Sequence, residues 1–418
     1  MKFLFSILKQ VTFSLLLWGI CHLQVHAQEA ILNTGKAGAA SKNQGIVTGA
    51  DQVSEYLSYL QGKRIGMVVN PTSVIGKSTS VDSLQALGVN IVRIFGPEHG
   101  FRGDASAGAK VEDSVDPKSG IPVVSLYGKN QKPTKENLSD IDLMVFDIQD
   151  VGARFYTYIG TMHRVMEACA ENGIELLILD RPNPNGYLVD GPVLDMRLKS
   201  GIGMHPVPIA HGMTVGEYAQ MINGEGWLAN GIKCRIKIIK VKNYAHDMPY
   251  TLPVSPSPNL NTPQSILLYP SLCLFEGTVI SQGRGTYFPF TVLGSPALKG
   301  KYTFSFTPVS IKGMSETPLH QDQKCYGLDL RKADIEKLRA TKHLNLTWLM
   351  ELYQGYPSKE KFFDSKQSNQ IGNFDKLAGT TLLKQQIIAG ATEAEICRSW
   401  EPGLSQFKVM RQKYLLYP

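Results

Sequence analysis

No two of the six cysteines in this 418-residue chain form a CxxC pair, and none stands with histidine at zinc-ligand spacing. That excludes a zinc module and a disulfide-built scaffold. One disulfide remains compatible with the five cysteines after residue 27, although buried thiols suit their apolar surroundings better. GxSxG and HExxH are both missing, and no cysteine shares a turn with a histidine. Acyl transfer through a side-chain nucleophile and zinc hydrolysis therefore have no candidate residues. No GxGxxG follows a strand pattern, so no dinucleotide is indicated, and neither a cofactor nor a metal is expected. The net charge is +7, yet the lysines are scattered without a block of five or six. A nucleic-acid partner is therefore not indicated.

Long apolar runs are also scarce. Val11 to Leu23 is too short to span a bilayer, and it sits between Lys2, Lys9 and the small-residue pattern Val25-His26-Ala27. Residues 1–27 read as a cleaved export signal. The bulky Ile20 before Cys21 argues against a lipid anchor, so a periplasmic or secreted protein without a stable membrane anchor is expected. Loss of the segment's two lysines takes the charge from +7 to +5. Residues 28–50, rich in Gly, Ala, Ser, Lys and Asn, read as a flexible leader.

Apolar strand patterns then alternate with helical ones. Arg64–Asn70, Ile91–Phe95, Pro122–Tyr127, Asp142–Gln149, Glu175–Asp180 and Arg235–Val241 read as strands, and Thr161–Asn172 and Thr214–Asn223 as helices. Strands apolar on both faces imply a parallel sheet covered on both sides. The expectation is an α/β protein: a Rossmann-like catalytic domain over 51–295 and a smaller α+β domain over 296–418. The smaller domain takes in a strand Tyr302–Phe306 and separate helices Glu393–Trp400 and Gln406–Leu416.

Six polar clusters fall mostly at strand ends, where open α/β sheets build their sites. They are Glu98-His99 with Arg102; Asp147 to Tyr158, holding Asp150, Arg154 and Tyr156; Asp180-Arg181 with Asn183; His211; Ser255 to Asn259; and Glu276 with Arg284. Any one of these could be a cap, a turn residue or an internal ion pair. Their coincidence with strand ends predicts one shared cleft. Carboxylates beside arginine, asparagine and aromatics suit glycosidic cleavage, where one acid protonates the leaving oxygen and a second group meets the cationic carbon.

The motifs GPEHGFR (96–102), FDIQDVGARFYTY (146–158), DRPNPNG (180–186), HGMT (211–214), PSPN (256–259), and EGT (276–278) through GRGT (283–286) are long and in order. They resemble the exo-β-N-acetylmuramidase family of the NamZ type over roughly residue 50 to the end. The resemblance implies removal of terminal N-acetylmuramic acid from the non-reducing ends of peptidoglycan fragments. It implies a cleft involving both domains, with Glu98 as the key glutamate. Rival classes are a non-catalytic wall-sugar binding protein on the same scaffold and a metal-dependent phosphohydrolase using Asp147, Asp150 and Asp180.

Glu98 is expected to be the general acid. Its partner is expected to be Asp147 or Glu276, unless the sugar's acetamido group itself acts as nucleophile. Arg102, Arg154 or Arg284 is expected to read the lactyl carboxylate with a guanidinium fork. His99, Asp150, Tyr156, Asp180, Arg181, Asn183, His211 and Asn259 complete the expected substrate-binding set. The sequence leaves the oligomeric state open.

Overall fold

The computed structural model describes residues 45–98, 100–102, 113–128, 130–365 and 373–418. The expected signal, most of the leader and His99 lie outside the described residues. The strands are β1 (Ile65–Val69), β2 (Val74–Ile75), β3 (Ser78–Thr79), β4 (Ile91–Gly96), β5 (Ser114–Val115), β6 (Pro122–Ser125), β7 (Leu143–Asp147), β8 (Glu175–Leu179), β9 (Val189–Asp190), β10 (Ala210–His211), β11 (Ile236–Ile239), β12 (Val292–Ser295), β13 (Ser305–Phe306) and β14 (Cys325–Asp329).

The central sheet has the order β11-β8-β7-β1-β4-β6-β5, parallel except at β5. Its six parallel strands therefore follow the doubly wound pattern. The chain leaves β1 toward one edge through β4 and β6, then returns to β7 on the other side of β1.

Residue alternation explains why both faces are covered. Met67 and Val69 of β1, Val145 of β7 and Leu177 of β8 join one apolar core with Tyr56 and Leu60 of the helix Val53–Leu60. Val68, Phe146 and Ile178 point the other way, into a larger core with Met162 and Tyr218. Strands buried on both faces in this way lack the polar alternation of a half-exposed sheet.

Beyond the sheet lies a three-stranded antiparallel sheet, β12-β14-β13, and helices Ile335–Thr341, Thr347–Gly355, Leu382–Ile388 and Glu393–Gln412 follow it in the chain. The first domain was expected to run to residue 295, but Val292–Ser295 is an edge strand of this second sheet. The expected strand Tyr302–Phe306 reduces to two paired residues. The two expected helices after residue 392 form one helix of 20 residues that runs through Pro402. The proline lies on the exposed side, while Ile396, Trp400, Leu404 and Phe407 form one buried stripe across it, so packing outweighs the lost backbone bond. All five described cysteines are free thiols.

Two connections tie the chain's distant parts together. Part of the expected flexible leader is docked: Val47 exchanges backbone hydrogen bonds with Lys242, and Gly49 N–H donates to the Asp180 carbonyl at 2.8 Å. A Cβ on Gly49 would meet the Ile239 carbonyl oxygen, so glycine permits the approach. At the other end, the Tyr417 hydroxyl donates to Asp180 Oδ2 at 2.6 Å and Leu416 N–H to Glu217 Oε1 at 2.8 Å. Among the described residues no helix is long and apolar enough to cross a membrane.

Candidate active site

Strand order reverses between β1 and β7, the place where open α/β sheets carry a crevice, and Asn70, Asp147, Asp180 and Glu98 lie at or just past the carboxyl ends of β1, β7, β8 and β4. Glu98 follows β4 in a turn closed by Gly100 N–H to the Pro97 carbonyl, and its side chain is half-buried. Gly96 lets this turn fold back, since a Cβ there would lie 3.2 Å from the Phe101 nitrogen. The Tyr127 hydroxyl, just after β6, hydrogen-bonds the Glu98 carboxylate. Burial first, and then the Glu98 charge, push that phenol up to about 12. Tyr158 is the second phenol near Glu98; burial and the Glu98 charge raise it, while a hydrogen bond from the Asn70 side chain lowers it. Tyr127 and Tyr158 thus join Glu98, and Asn70 reaches it through Tyr158; the sequence reading singles out neither Asn70 nor Tyr127. Both are first or second residues after an apolar strand, the one signal that could have found them.

A layer of aromatic rings leads away from Glu98. Tyr158 packs edge-on to Tyr156 with centroids 4.9 Å apart, Tyr156 meets Tyr269 at 5.9 Å, and Tyr269 meets Phe290 at 5.1 Å. The Pro256 carbonyl accepts from the Tyr156 hydroxyl at 2.7 Å and from the Tyr158 hydroxyl at 3.4 Å. Beyond this layer, Glu276 Oε1 accepts from Arg284 Nε at 2.6 Å and from Gln282 Nε2 at 3.0 Å. The Arg284 guanidinium lies over Phe290, and its two Nη groups donate to no acceptor among the described residues. A series of ring contacts therefore links the surroundings of Glu98 to Arg284.

Several residues expected to touch substrate are buried with internal partners. Asp147 is fully buried, and its Oδ1 takes Arg181 Nε at 2.7 Å. Burial works against the Arg181 charge, but the Asp147 carboxylate prevails and holds the guanidinium above its usual range. Such a pair at the end of β7 fits a structural ion pair better than a carboxylate free to reach a sugar. Asp180 is closed in by Tyr417, Thr214 Oγ1 at 2.7 Å, and the backbone N–H groups of Gly216 and Arg181. Its burial pushes the carboxyl up to about 6 against those donors.

Asn183 spans to the Met213 carbonyl and lies against Gly152, whose φ of +79° and missing side chain leave room for it. His211 is buried against Tyr218, with Nε2 at 3.6 Å from Asp150 Oδ2. Asp150 Oδ2 also accepts from Gly152 N–H at 2.6 Å. Asn259 donates to the Met314 carbonyl at 2.9 Å.

Two of the three expected arginines are occupied. Arg102 forms a two-pronged pair with Asp116 at 2.6 and 2.8 Å and reaches Asp82. Arg154 is buried and donates to the carbonyls of Pro192, Val207 and Leu377, tying the loop after β7 to the helix Phe374–Ala378. Among the described residues no cluster of three or more His, Cys, Asp or Glu side chains is placed to hold a metal ion.

The family model described as exo-β-N-acetylmuramidase NamZ, N-terminal, matches residues 65–264, and its C-terminal counterpart matches 267–417. The chain belongs to the NamZ family. It is 40% identical over 408 residues to peptidoglycan β-N-acetylmuramidase NamZ of Bacillus subtilis (strain 168), covering 92% of this chain and 96% of that protein. A crystal structure of a DUF1343 family protein from Bacteroides fragilis NCTC 9343 superposes with a TM-score of 0.81 at 42% identity, covering 89% of this chain and 99% of that one. A second DUF1343 protein from the same organism gives 0.75 at 30% identity, with the same coverage. The two NamZ models meet just before the helix Pro263–Leu272 has run its course, ahead of the Glu276 turn. Glu98 and Arg284 thus come from different halves of the NamZ architecture.

Proposed function

We propose that this protein is an exo-acting glycoside hydrolase that releases terminal N-acetylmuramic acid from the non-reducing ends of peptidoglycan fragments. The observation that carries this is the placement of Glu98. It is a half-buried carboxyl at the crevice of a doubly wound sheet, hydrogen-bonded by Tyr127, on a chain 40% identical to a peptidoglycan β-N-acetylmuramidase. Glu98 delivers a proton to the glycosidic oxygen as the bond to the anomeric carbon breaks. Tyr127 holds the carboxyl in place.

Arg284 is the arginine best disposed to take the lactyl carboxylate, because Glu276 grips it only through Nε and leaves the Nη fork presented. Glu276 then acts on the sugar through Arg284. Asp147, tied to Arg181, sets the floor of the crevice. The phosphohydrolase reading loses force because Asp180 is enclosed by four internal donors.

We further propose that the protein works outside the cytoplasm. The support is the signal-like pattern of residues 1–27, and the mature protein recovered from cells should begin at Gln28. Incubation with the disaccharide of N-acetylmuramic acid linked to N-acetylglucosamine, and with a longer alternating fragment, tests the activity. Free N-acetylmuramic acid is expected, released from one chain end only. Internal cleavage, or no release, would overturn the proposal.

A further inference from the structure

Tyr287 follows the Gly283-Arg284-Gly285-Thr286 turn and is 75% exposed, the most exposed large apolar side chain among the described residues. Its ring and hydroxyl have no hydrogen-bond or ring partner among those residues. The backbone that carries it is nevertheless fixed at many points. Thr286 N–H and Oγ1 both donate to the Gly283 carbonyl, at 3.1 and 2.7 Å. Phe288 N–H donates to Thr286 Oγ1 at 3.2 Å, Phe290 N–H to the Gln282 carbonyl at 2.7 Å, and Val309 N–H to the Gly285 carbonyl at 2.8 Å. Phe288 and Phe290 turn inward on either side, so the loop has a packed underside and one aromatic ring held out to solvent.

The loop's position ties that ring to the cleft. The Tyr287 carbonyl accepts from Asn261 Nδ2 at 3.2 Å. Asn261 ends the short segment that begins at Pro256, whose carbonyl receives the Tyr156 and Tyr158 hydroxyls beside Glu98. Six residues span at most about 20 Å when fully extended. This segment is shorter than that, because Leu260 N–H turns back to the Ser257 carbonyl. Tyr287 also stands three residues from Arg284. The backbone that carries the ring is therefore tied, through Asn261 and the short segment back to Pro256, to the tyrosine pair beside Glu98.

We infer that Tyr287 is a stacking platform for the second sugar of the substrate, the N-acetylglucosamine on the leaving side of the scissile bond. This inference rests on the exo-acting reading above. When only the terminal residue enters the crevice, the rest of the fragment extends in one direction, out over the rim. A pyranose in the chair form presents a face of C–H groups, which an aromatic ring covers well. Fixing the ring beforehand lowers the ordering cost of binding.

Two substrates with the same terminal sugar separate this role from others: the N-acetylmuramic acid–N-acetylglucosamine disaccharide, and methyl β-N-acetylmuramide, which has no second ring. In Tyr287→Ala, kcat/KM on the disaccharide should fall by roughly 3–10-fold, the scale of one aromatic contact. The ratio of disaccharide to methyl glycoside activity should fall by the same factor. Tyr287→Phe and Tyr287→Trp should restore it, because the ring face and not the hydroxyl makes the contact. An unchanged ratio in Tyr287→Ala would overturn the inference, as would equal losses on both substrates or a failure of Phe and Trp to rescue. Failure of the parent reading looks different: the unmodified protein would then release no N-acetylmuramic acid from the disaccharide.

Discussion

Arg181 Nε donates to Asp147 Oδ1 at 2.7 Å, with both side chains almost wholly withdrawn from solvent. Removing one member strands the other charge in the protein, at a cost of about 3–5 kcal/mol. Arg181→Met should therefore lower the unfolding free energy by about that amount in denaturant titration. The double variant Arg181→Met/Asp147→Asn should lose distinctly less, since no lone charge remains. Equal losses in the single and double variants would mean that the pair contributes through packing alone.

Glu98→Gln keeps the shape of the side chain and removes the transferable proton. Turnover of the disaccharide should drop by roughly 10²–10⁴-fold, the range expected for one general acid. The melting temperature should stay near that of the parent, because Glu98 is half-buried and at a loop. Retained sugar affinity in a calorimetric titration would show that the variant still binds what it no longer cleaves. Turnover near the parent value would remove Glu98 from the chemistry.

Arg284→Ala should weaken selection for the lactyl group. The preference for N-acetylmuramic acid over N-acetylglucosamine at the terminal position should fall by roughly 10–100-fold, the worth of hydrogen bonds to a charged group. Arg102→Ala serves as the control. Its guanidinium is held by Asp116 and Asp82, so it should reduce thermal stability and leave the preference unchanged. Competition assays with the two terminal sugars measure both.

Stability in acid should be limited by a buried imidazole pair. His205 Nε2 lies 2.9 Å from His163 Nδ1, and His205 stacks on Trp227. Burial pushes His163 down from 6.5 to about 4. Between those values the unfolded chain binds a proton that the folded chain does not, so stability falls as pH drops through that window and is flat above it. The full loss amounts to about 3 kcal/mol. In His163→Gln the decline between pH 7 and pH 4 should be shallower by up to that amount in urea titrations. An identical slope would assign the acid sensitivity elsewhere.

The strand ends that frame the crevice were legible because β1, β7 and β8 are short apolar runs that stop at Asn70, Asp147 and Asp180. A buried strand leaves its first polar residue at the carboxyl end of the sheet, whatever that residue then does. What each residue does there was not legible. Asp147 and Arg181 are 34 positions apart, and Asp180 and Tyr417 are 237 apart. Their pairing is fixed by sheet order and chain return, which no local pattern encodes. Tyr127 was hidden for a related reason, since its partner Glu98 lies on a neighbouring strand end. Pro402 misled in the opposite sense: a local helix breaker was overruled by the apolar stripe from Ile396 to Phe407.

The hydrogen bonds from Tyr417 to Asp180 and from Leu416 to Glu217 bear on how such a chain can change over time. Two family models divide it near residue 265, yet the segment recognised by the second supplies donors to buried carboxylates in the segment recognised by the first. The Arg154 clamp runs the other way, from the first segment to the Leu377 carbonyl of the second. A gene fusion or exchange at that junction would deliver each half with buried polar groups unanswered. The halves are therefore expected to be inherited together, and to melt in a single transition.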